Sequence, residues 1–224
     1  MLPAAEQLGD PAMLARAHAM QGRSYYLAGL TDRAKPHLDE ADRQFAAIPD
    51  RWRLRSSLFE FWGRYHQIRG RLDLAAGQLH QAVRIDREHG DHRALLIHAR
   101  MLAAVLSEAG RPAEAWPLLD EAAAVPRADA RNLARVHMVR GWTALRAGYP
   151  ADATYWAGVA HAALGDPGTT AYGRELSELR AEIATVTGPA DHAAGLWAGL
   201  AHEAMTNNHP KAAWYIQRSE QCRR

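Results

Sequence analysis

Apolar residues recur along this chain with the spacing of amphipathic helices, and the pattern itself repeats about every 40 residues. Each repeat is marked by a glycine, four mostly polar or turn-forming residues, and an alanine that opens an alanine-rich segment. The glycines are Gly29, Gly70, Gly110, Gly148 and Gly188. Nine and twelve residues after each glycine the chain is apolar. The pattern predicts a helix, a tight turn at the glycine, and a second antiparallel helix in every repeat.

Small residues stand on both sides of each predicted turn. Seven residues before the glycine they are Gly22, Gly63, Ala103, Gly141 and Ala181, and five residues after it they are Ala34, Ala75, Ala115, Ala153 and Ala193. Such residues allow two antiparallel helices to approach closely, and larger side chains would overpack the contact. The turn glycine is expected in the left-handed conformation that ends many helices.

The repeats predict a single all-α domain over residues 1–224. Its five helix pairs are expected at 13–48, 52–89, 92–126, 130–165 and 170–206, with a capping helix at 211–222. In that last helix Trp214 and Ile216 are expected to pack, and Arg218, Glu220 and Arg223 to face water. Residues 1–8 read as the remnant of a preceding helix, because Gly9-Asp10-Pro11 breaks the chain.

The order of small residue, turn glycine, alanine, large apolar residue and alanine resembles the tetratricopeptide repeat (TPR). The resemblance implies a right-handed superhelical array, a TPR-like α-solenoid, that binds proteins or peptides. The chain departs from that family in its longer period, since the usual repeat has about 34 residues, and in lacking the regular Trp, Tyr and closing Pro. The longer period resembles the repeat regions of bacterial transcriptional regulators, including the maltose-regulator-like and LuxR-type ATP-binding regulators of actinomycetes.

Composition agrees with a soluble protein without an extended nucleic-acid footprint. The 27 basic residues nearly balance the 25 acidic ones, for a net charge of +2, and no dense basic run occurs. Cys222 is the only cysteine, which excludes an internal disulfide framework and favours the cytoplasm. The sequence shows neither a signal peptide nor an apolar run long enough to span a membrane.

No sequence motif indicates catalysis or a cofactor. The chain has no His-Glu-x-x-His, no phosphate-binding glycine loop and no Gly-x-Ser-x-Gly. His89 and His92 flank a predicted turn, which leaves a surface metal site open beside the simpler reading of solvated histidines. We therefore expect neither enzyme activity nor a cofactor, and we assign no metal ligands.

The resemblance places a ligand groove on the first helix of each pair. Carried over residue by residue, its lining is Arg16, Met20, Arg23, Tyr26, Phe61, Arg64, Gln67, Arg100, Met101, Arg135, Met138 and Trp142. Glu60 stands beside this line, and Glu175, Glu178 and Glu182 form an acidic end. Arginine forks bind carboxylates in bidentate fashion, and Met and aromatic side chains add adaptable apolar contact. An acidic peptide or a free carboxylate would suit such a lining.

Several alternatives stay open at this point. The arginines are equally well explained as solvated residues of an arginine-rich protein, and the glutamates as a solvated helix face. The chain could be the sensor or interaction region of a bacterial transcriptional regulator, a free-standing TPR adaptor in a biosynthetic or stress pathway, or a small-molecule sensor that uses the groove. Self-association through the N-terminal end is a further expectation, whereas direct contact with nucleic acid or a membrane is not expected.

Overall fold

The computed structural model describes residues 9–48, 51–165 and 170–224. In these residues the chain forms helices and no strand, which confirms the all-α prediction. The helices are α1 (Pro11–Leu27), α2 (Thr31–Ala46), α3 (Trp52–Ile68), α4 (Leu72–His89), α5 (His92–Glu108), α6 (Pro112–Ala123), α7 (Ala130–Arg146), α8 (Pro150–Leu164), α9 (Ala171–Thr187), α10 (Ala190–Thr206) and α11 (Ala212–Cys222). The remnant helix expected at 1–8 lies outside the described residues.

The chain divides into two compact units. Unit 1 comprises Met1–Ala109 with Ala124–Pro126, and unit 2 comprises Gly110–Ala123 with Arg127–Arg224. In unit 1, α1 packs on α2, α3 on α4 and α4 on α5, and α1 and α2 also contact α3. In unit 2, each helix from α6 to α10 packs on the next one, and α7 also contacts α9. The continuous five-repeat array stays a prediction.

The helix starts follow local capping chemistry. Asp10 accepts a 2.8 Å hydrogen bond from the backbone N–H of Ala12, and Pro11 occupies the first helical position, where its missing N–H costs nothing. Helix α1 therefore begins two residues before Met13, the predicted start. Asp129 caps α7 in the same way, with a 2.9 Å bond from the Asn132 N–H.

The turn glycines adopt the expected conformation in four cases out of five. The φ angles of Gly29, Gly70, Gly110 and Gly148 lie between 69° and 85°, in the left-handed region. Gly188 is instead extended, with φ −109° and ψ 176°, so the prediction is wrong there. The reason is local: Gly188 is followed directly by Pro189, and the proline ring pushes the preceding residue into extended conformations.

The small helical residues do mark close contacts. An added Cβ at Gly22 would lie 2.8 Å from Leu38 Cδ2, and one at Gly63 would lie 2.6 Å from Leu79 Cγ. Both contacts join a residue seven before the turn glycine to one nine after it, as expected for antiparallel helices. At Gly141 the nearest atom is Leu179 Cδ2, at 2.7 Å, so the leucine comes from the next helix pair.

The last helix turns a different face inward from the one expected. Trp214 and Ile216 remain 43 % and 38 % exposed, whereas Tyr215 and Ser219 are buried. Residues 215 and 219 are four apart and share one helix face, and the Ser219 hydroxyl donates to the Ala194 carbonyl oxygen at 2.9 Å. Arg218, expected in water, is half-buried. No helix in the described residues is long and apolar enough to cross a membrane.

Candidate functional site

Five of the residues singled out on α1 and α3 come together in unit 1. The Arg23 guanidinium lies 5.9 Å from the centre of the Phe61 ring, and Tyr26 lies within electrostatic reach of Arg23, Glu60 and Arg64. Tyr26 is only 3 % exposed, whereas Arg23 and Arg64 are exposed to solvent. Burial and the charge of Glu60 raise the pKa of the Tyr26 phenol, and Arg23 and Arg64 oppose that shift. The neutral Tyr26 phenol is therefore buried next to two exposed cations, Arg23 and Arg64.

A small cleft lies beside Phe61, the ring that the Arg23 guanidinium faces. Its volume is about 320 Å³, and its lining includes Arg16 and Met20 of α1 together with Leu54 and Phe61 of α3. The arginines and the apolar wall thus belong to one surface. We call Arg16, Met20, Arg23, Phe61 and Arg64 the α1–α3 surface.

Gln67 connects this surface to the end of α5. The Arg64 guanidinium donates to Gln67 Oε1 at 2.8 Å, and Gln67 Nε2 donates to Glu108 Oε2 at 2.7 Å. The amide therefore fixes the guanidinium on one side while Arg64 remains exposed. On α5 itself, Arg100 is only 5 % exposed and Met101 is half-buried.

The remaining predicted residues lie in unit 2. Met138 is buried in the core with Leu176 and Leu179. The Arg135 guanidinium lies 5.4 Å from the centre of the Tyr172 ring, and the half-buried Trp142 ring lies 5.3 Å from the Arg146 guanidinium. Met138, Arg135 and Trp142 therefore each contact other residues of unit 2.

The acidic end of the predicted groove is paired rather than free. Glu175 faces Arg135 at 3.6 Å, and Glu178 accepts hydrogen bonds from Lys211, at 2.8 Å, and from the Tyr215 hydroxyl. Glu182 accepts one from Arg218. Glu178 and Glu182 are therefore bound by residues that lie on α11 or directly before it. Sequence reasoning missed these pairs, because helix spacing within α9 says nothing about the partners that α11 brings.

The most heavily buried polar cluster was also missed. It consists of Ser56 on α3, Asp86 on α4 and His98 on α5, with exposures of 2 %, 0 % and 4 %. The Ser56 hydroxyl donates to Asp86 Oδ1 at 2.6 Å, and His98 Nδ1 lies 2.6 Å from Asp86 Oδ2. On the other side of the ring, His98 Nε2 lies 3.2 Å from Glu60 Oε2. We call these three residues, together with the half-buried Glu60 that contacts His98, the buried cluster.

His98 is held as an imidazolium by its two carboxylate neighbours. Burial by itself would lower the pKa of His98, but hydrogen bonds to Asp86 and Glu60 outweigh it and raise the pKa to about 9. The imidazolium therefore donates its Nδ1–H to Asp86 and its Nε2–H to Glu60. Glu60 also interacts electrostatically with Tyr26, so it links the buried cluster to the charged residues around Tyr26.

The residue types of a serine-hydrolase triad are present in the buried cluster, but the geometry is that of a structural network. The Ser56 hydroxyl donates a hydrogen bond to the Asp86 carboxylate. It also lies 3.4 Å from His98 Nδ1, the same ring nitrogen that contacts Asp86. In a catalytic arrangement the hydroxyl would face the other ring nitrogen, which here faces Glu60. Ser56 is also too buried to meet a substrate.

The repeat register held a signal for the buried cluster. Asp86 lies sixteen residues after Gly70, where the first repeat has the buried Phe45. His98 lies twelve residues before Gly110, where the second repeat has the buried Leu58. Charged residues at positions that are apolar in other repeats are candidates for buried pairs.

The histidines at the α4–α5 turn have other partners. His89 stacks on Trp52 with ring centres 4.3 Å apart, and its Nδ1 lies 2.9 Å from the Ile85 carbonyl oxygen. Within residues 9–48, 51–165 and 170–224, no group of three or more His, Cys, Asp or Glu side chains is arranged to hold a metal ion.

No protein-family model matches the chain, and comparison with curated proteins finds no similar sequence.

Proposed function

We propose that this chain is a non-catalytic, TPR-like helical-repeat scaffold that binds a protein or peptide. The helix pairs would continue as a right-handed superhelical array, and the binding residues would lie on the first helix of each pair. The chain would act in the cytoplasm as the sensor or interaction region of a bacterial transcriptional regulator. The repeat period of about 40 residues supports that last step, because it resembles the repeats of such regulators.

The α1–α3 surface carries the proposal. It combines two exposed guanidiniums, a buried tyrosine beneath them and a cleft of about 320 Å³ with Met20 and Phe61 in its wall. A carboxylate of an acidic peptide would bind the guanidiniums of Arg23 and Arg64, and a neighbouring apolar side chain would enter the cleft. Such a site takes its charge specificity from the arginines and its apolar affinity from the cleft.

The test uses short random peptides displayed against the intact chain, with and without a free C-terminal carboxylate. We expect the selected peptides to be acidic and their affinity to fall with added salt. A charged hydrogen bond contributes roughly 1.5–3 kcal/mol, so the Arg23→Ala, Arg64→Ala double variant should bind about a hundredfold more weakly.

The matched control is Arg33→Ala with Arg93→Ala, which removes two other exposed arginines of unit 1 and the same net charge. This control should bind the selected peptides nearly as the parent does. The proposal fails if both double variants lose affinity equally, because the effect would then be one of net charge. It also fails if neither variant, when normally folded by circular dichroism, loses affinity.

A further inference from the structure

Unit 2 contains an open groove that is separate from the α1–α3 surface. Its volume is about 460 Å³, and it runs between α8, α9 and α10. Ala157 and Gly158 form the wall on α8, Ile183 and Ala184 the wall on α9, and Leu196 the wall on α10. The volume lies within the range of about 300–1,000 Å³ that is typical of pockets for small ligands.

A small residue of the repeat pattern, Ala157, forms part of the groove wall. Nine residues after the turn glycine, unit 1 has Leu38 and Leu79, and each covers the glycine of its own helix pair. In unit 2 the same position of α8 is Ala157, and Leu179 covers Gly141 instead. Ala157 therefore presents only a methyl group to the groove, while Leu179 fills the space next to Gly141.

The charge at the groove has one sign. Arg180 lines it, together with the neutral hydroxyl groups of Thr154 and Thr187 and the His192 ring, and no acidic side chain does. Arg174 on the same helix pairs with Glu203 at 3.2 Å. Arg180, in contrast, has no acidic side chain within salt-bridge distance among the residues that the structure describes.

We propose that this groove binds a small amphiphile with one carboxylate and an unbranched alkyl chain. The alkyl chain lies along Ile183 and Leu196, and the carboxylate binds the Arg180 guanidinium, whose two parallel N–H donors match its two oxygens. Charge complementarity selects this occupant, because an apolar wall beside Arg180, which has no acidic partner among the described residues, favours an apolar molecule with a single anionic group.

The probes are decanoate, octanoate and decanol, titrated into the full chain by isothermal calorimetry. Decanoate should bind, and octanoate should bind about tenfold more weakly because it buries two fewer methylene groups. Decanol has the longer chain without the charge, and it should bind more weakly than decanoate.

Gly158→Leu is the variant that blocks the groove. Gly158 is exposed, and an added Cβ there meets no atom within 4 Å, so the leucine should leave the fold intact and improve helix propensity. We expect at least about a tenfold loss of decanoate affinity, since the new side chain takes the place of the alkyl chain. Gly199→Leu is the matched control, because Gly199 on α10 is equally open and does not line the groove.

Arg180→Gln tests the charge. It should weaken decanoate by about tenfold and leave decanol unchanged, because only decanoate uses the guanidinium. The proposal is overturned if decanoate does not bind, if Gly158→Leu binds it as the parent does, or if Arg180→Gln affects decanol equally. The Arg23→Ala, Arg64→Ala variant should bind decanoate normally, which separates this site from the peptide surface.

Discussion

The two units place their charged residues in different environments. Unit 1 has Asp86 and His98 in the core, at 0 % and 4 % exposure. In unit 2, the acidic side chains that contact α11 are more exposed: Glu178 is 14 % and Glu182 is 30 % exposed. Water can thus replace a lost partner around Glu178 and Glu182 but hardly at all around Asp86. The same kinds of residue should therefore have different energetic weights in the two units.

The buried cluster should specify packing more than it adds stability. Replacing a buried ion pair by apolar residues of similar volume is often neutral or stabilising, whereas removing one partner leaves a buried charge. Asp86 and His98 join α4 to α5, and Ser56 and Glu60 add α3 to the same network. The network therefore fixes how three helices of unit 1 meet.

The largest effect is expected from His98→Leu. It leaves the Asp86 carboxylate in the core with only the Ser56 hydroxyl, so the free energy of unfolding should fall by about 3–5 kcal/mol. Urea denaturation of the variant and the parent measures it.

The control is the double variant Asp86→Leu, His98→Leu, which restores the apolar character that other repeats have at these positions. It should recover part of the lost stability. A loss below about 1 kcal/mol in the single variant would show that the pair is solvated, and the contrast between the units would then be wrong.

The next effect is a dependence of stability on pH. The pKa of His98 is about 9 in the folded protein and 6.5 by reference, so protonated His98 favours folding. Its contribution is fully present below pH 6.5 and is lost as the pH rises through 9. The pKa difference corresponds to about 3 kcal/mol.

Urea denaturation at a series of pH values between 6.5 and 9.5 tests this. The parent should lose stability across that range, and His98→Gln should be nearly flat, whatever its absolute stability. Parallel curves for the two proteins would exclude His98 as the source.

The repeat register explains which parts of the fold and site the sequence could predict. Gly22 and Gly63 mark close helix contacts, as the small residues of the repeat predicted, and the side chains that meet them are Leu38 and Leu79. Gly188 departs from the pattern through its neighbour Pro189, a local rule that the sequence also contains. The positions of the close contacts at Gly22 and Gly63 therefore follow from local sequence information.

Other features needed the packing of separate helices. Trp214, Tyr215 and Ile216 are adjacent, so their apolar character does not determine which face of α11 is buried. The contact between Asp86 and His98 depends on how α4 and α5 meet. On the α1–α3 surface, the register placed Arg23 and Arg64 on neighbouring helices, but the burial of Tyr26 beneath them is a tertiary effect.

The smallest effect is expected from Tyr215→Phe in unit 2. The Tyr215 hydroxyl donates to Glu178, and this carboxylate also accepts from Lys211 at 2.8 Å. The variant removes one of two donors and leaves the ring buried against Trp197, whose centre lies 6.1 Å away. Glu178 keeps its cation and some contact with water, so the free energy of unfolding should fall by only about 0.5–1.5 kcal/mol.

Urea denaturation under the conditions used for His98→Leu allows a direct comparison. If Tyr215→Phe cost as much as His98→Leu, the acidic network around α11 would be as dependent on each partner as the core of unit 1, and the exposure of Glu178 would not explain the difference.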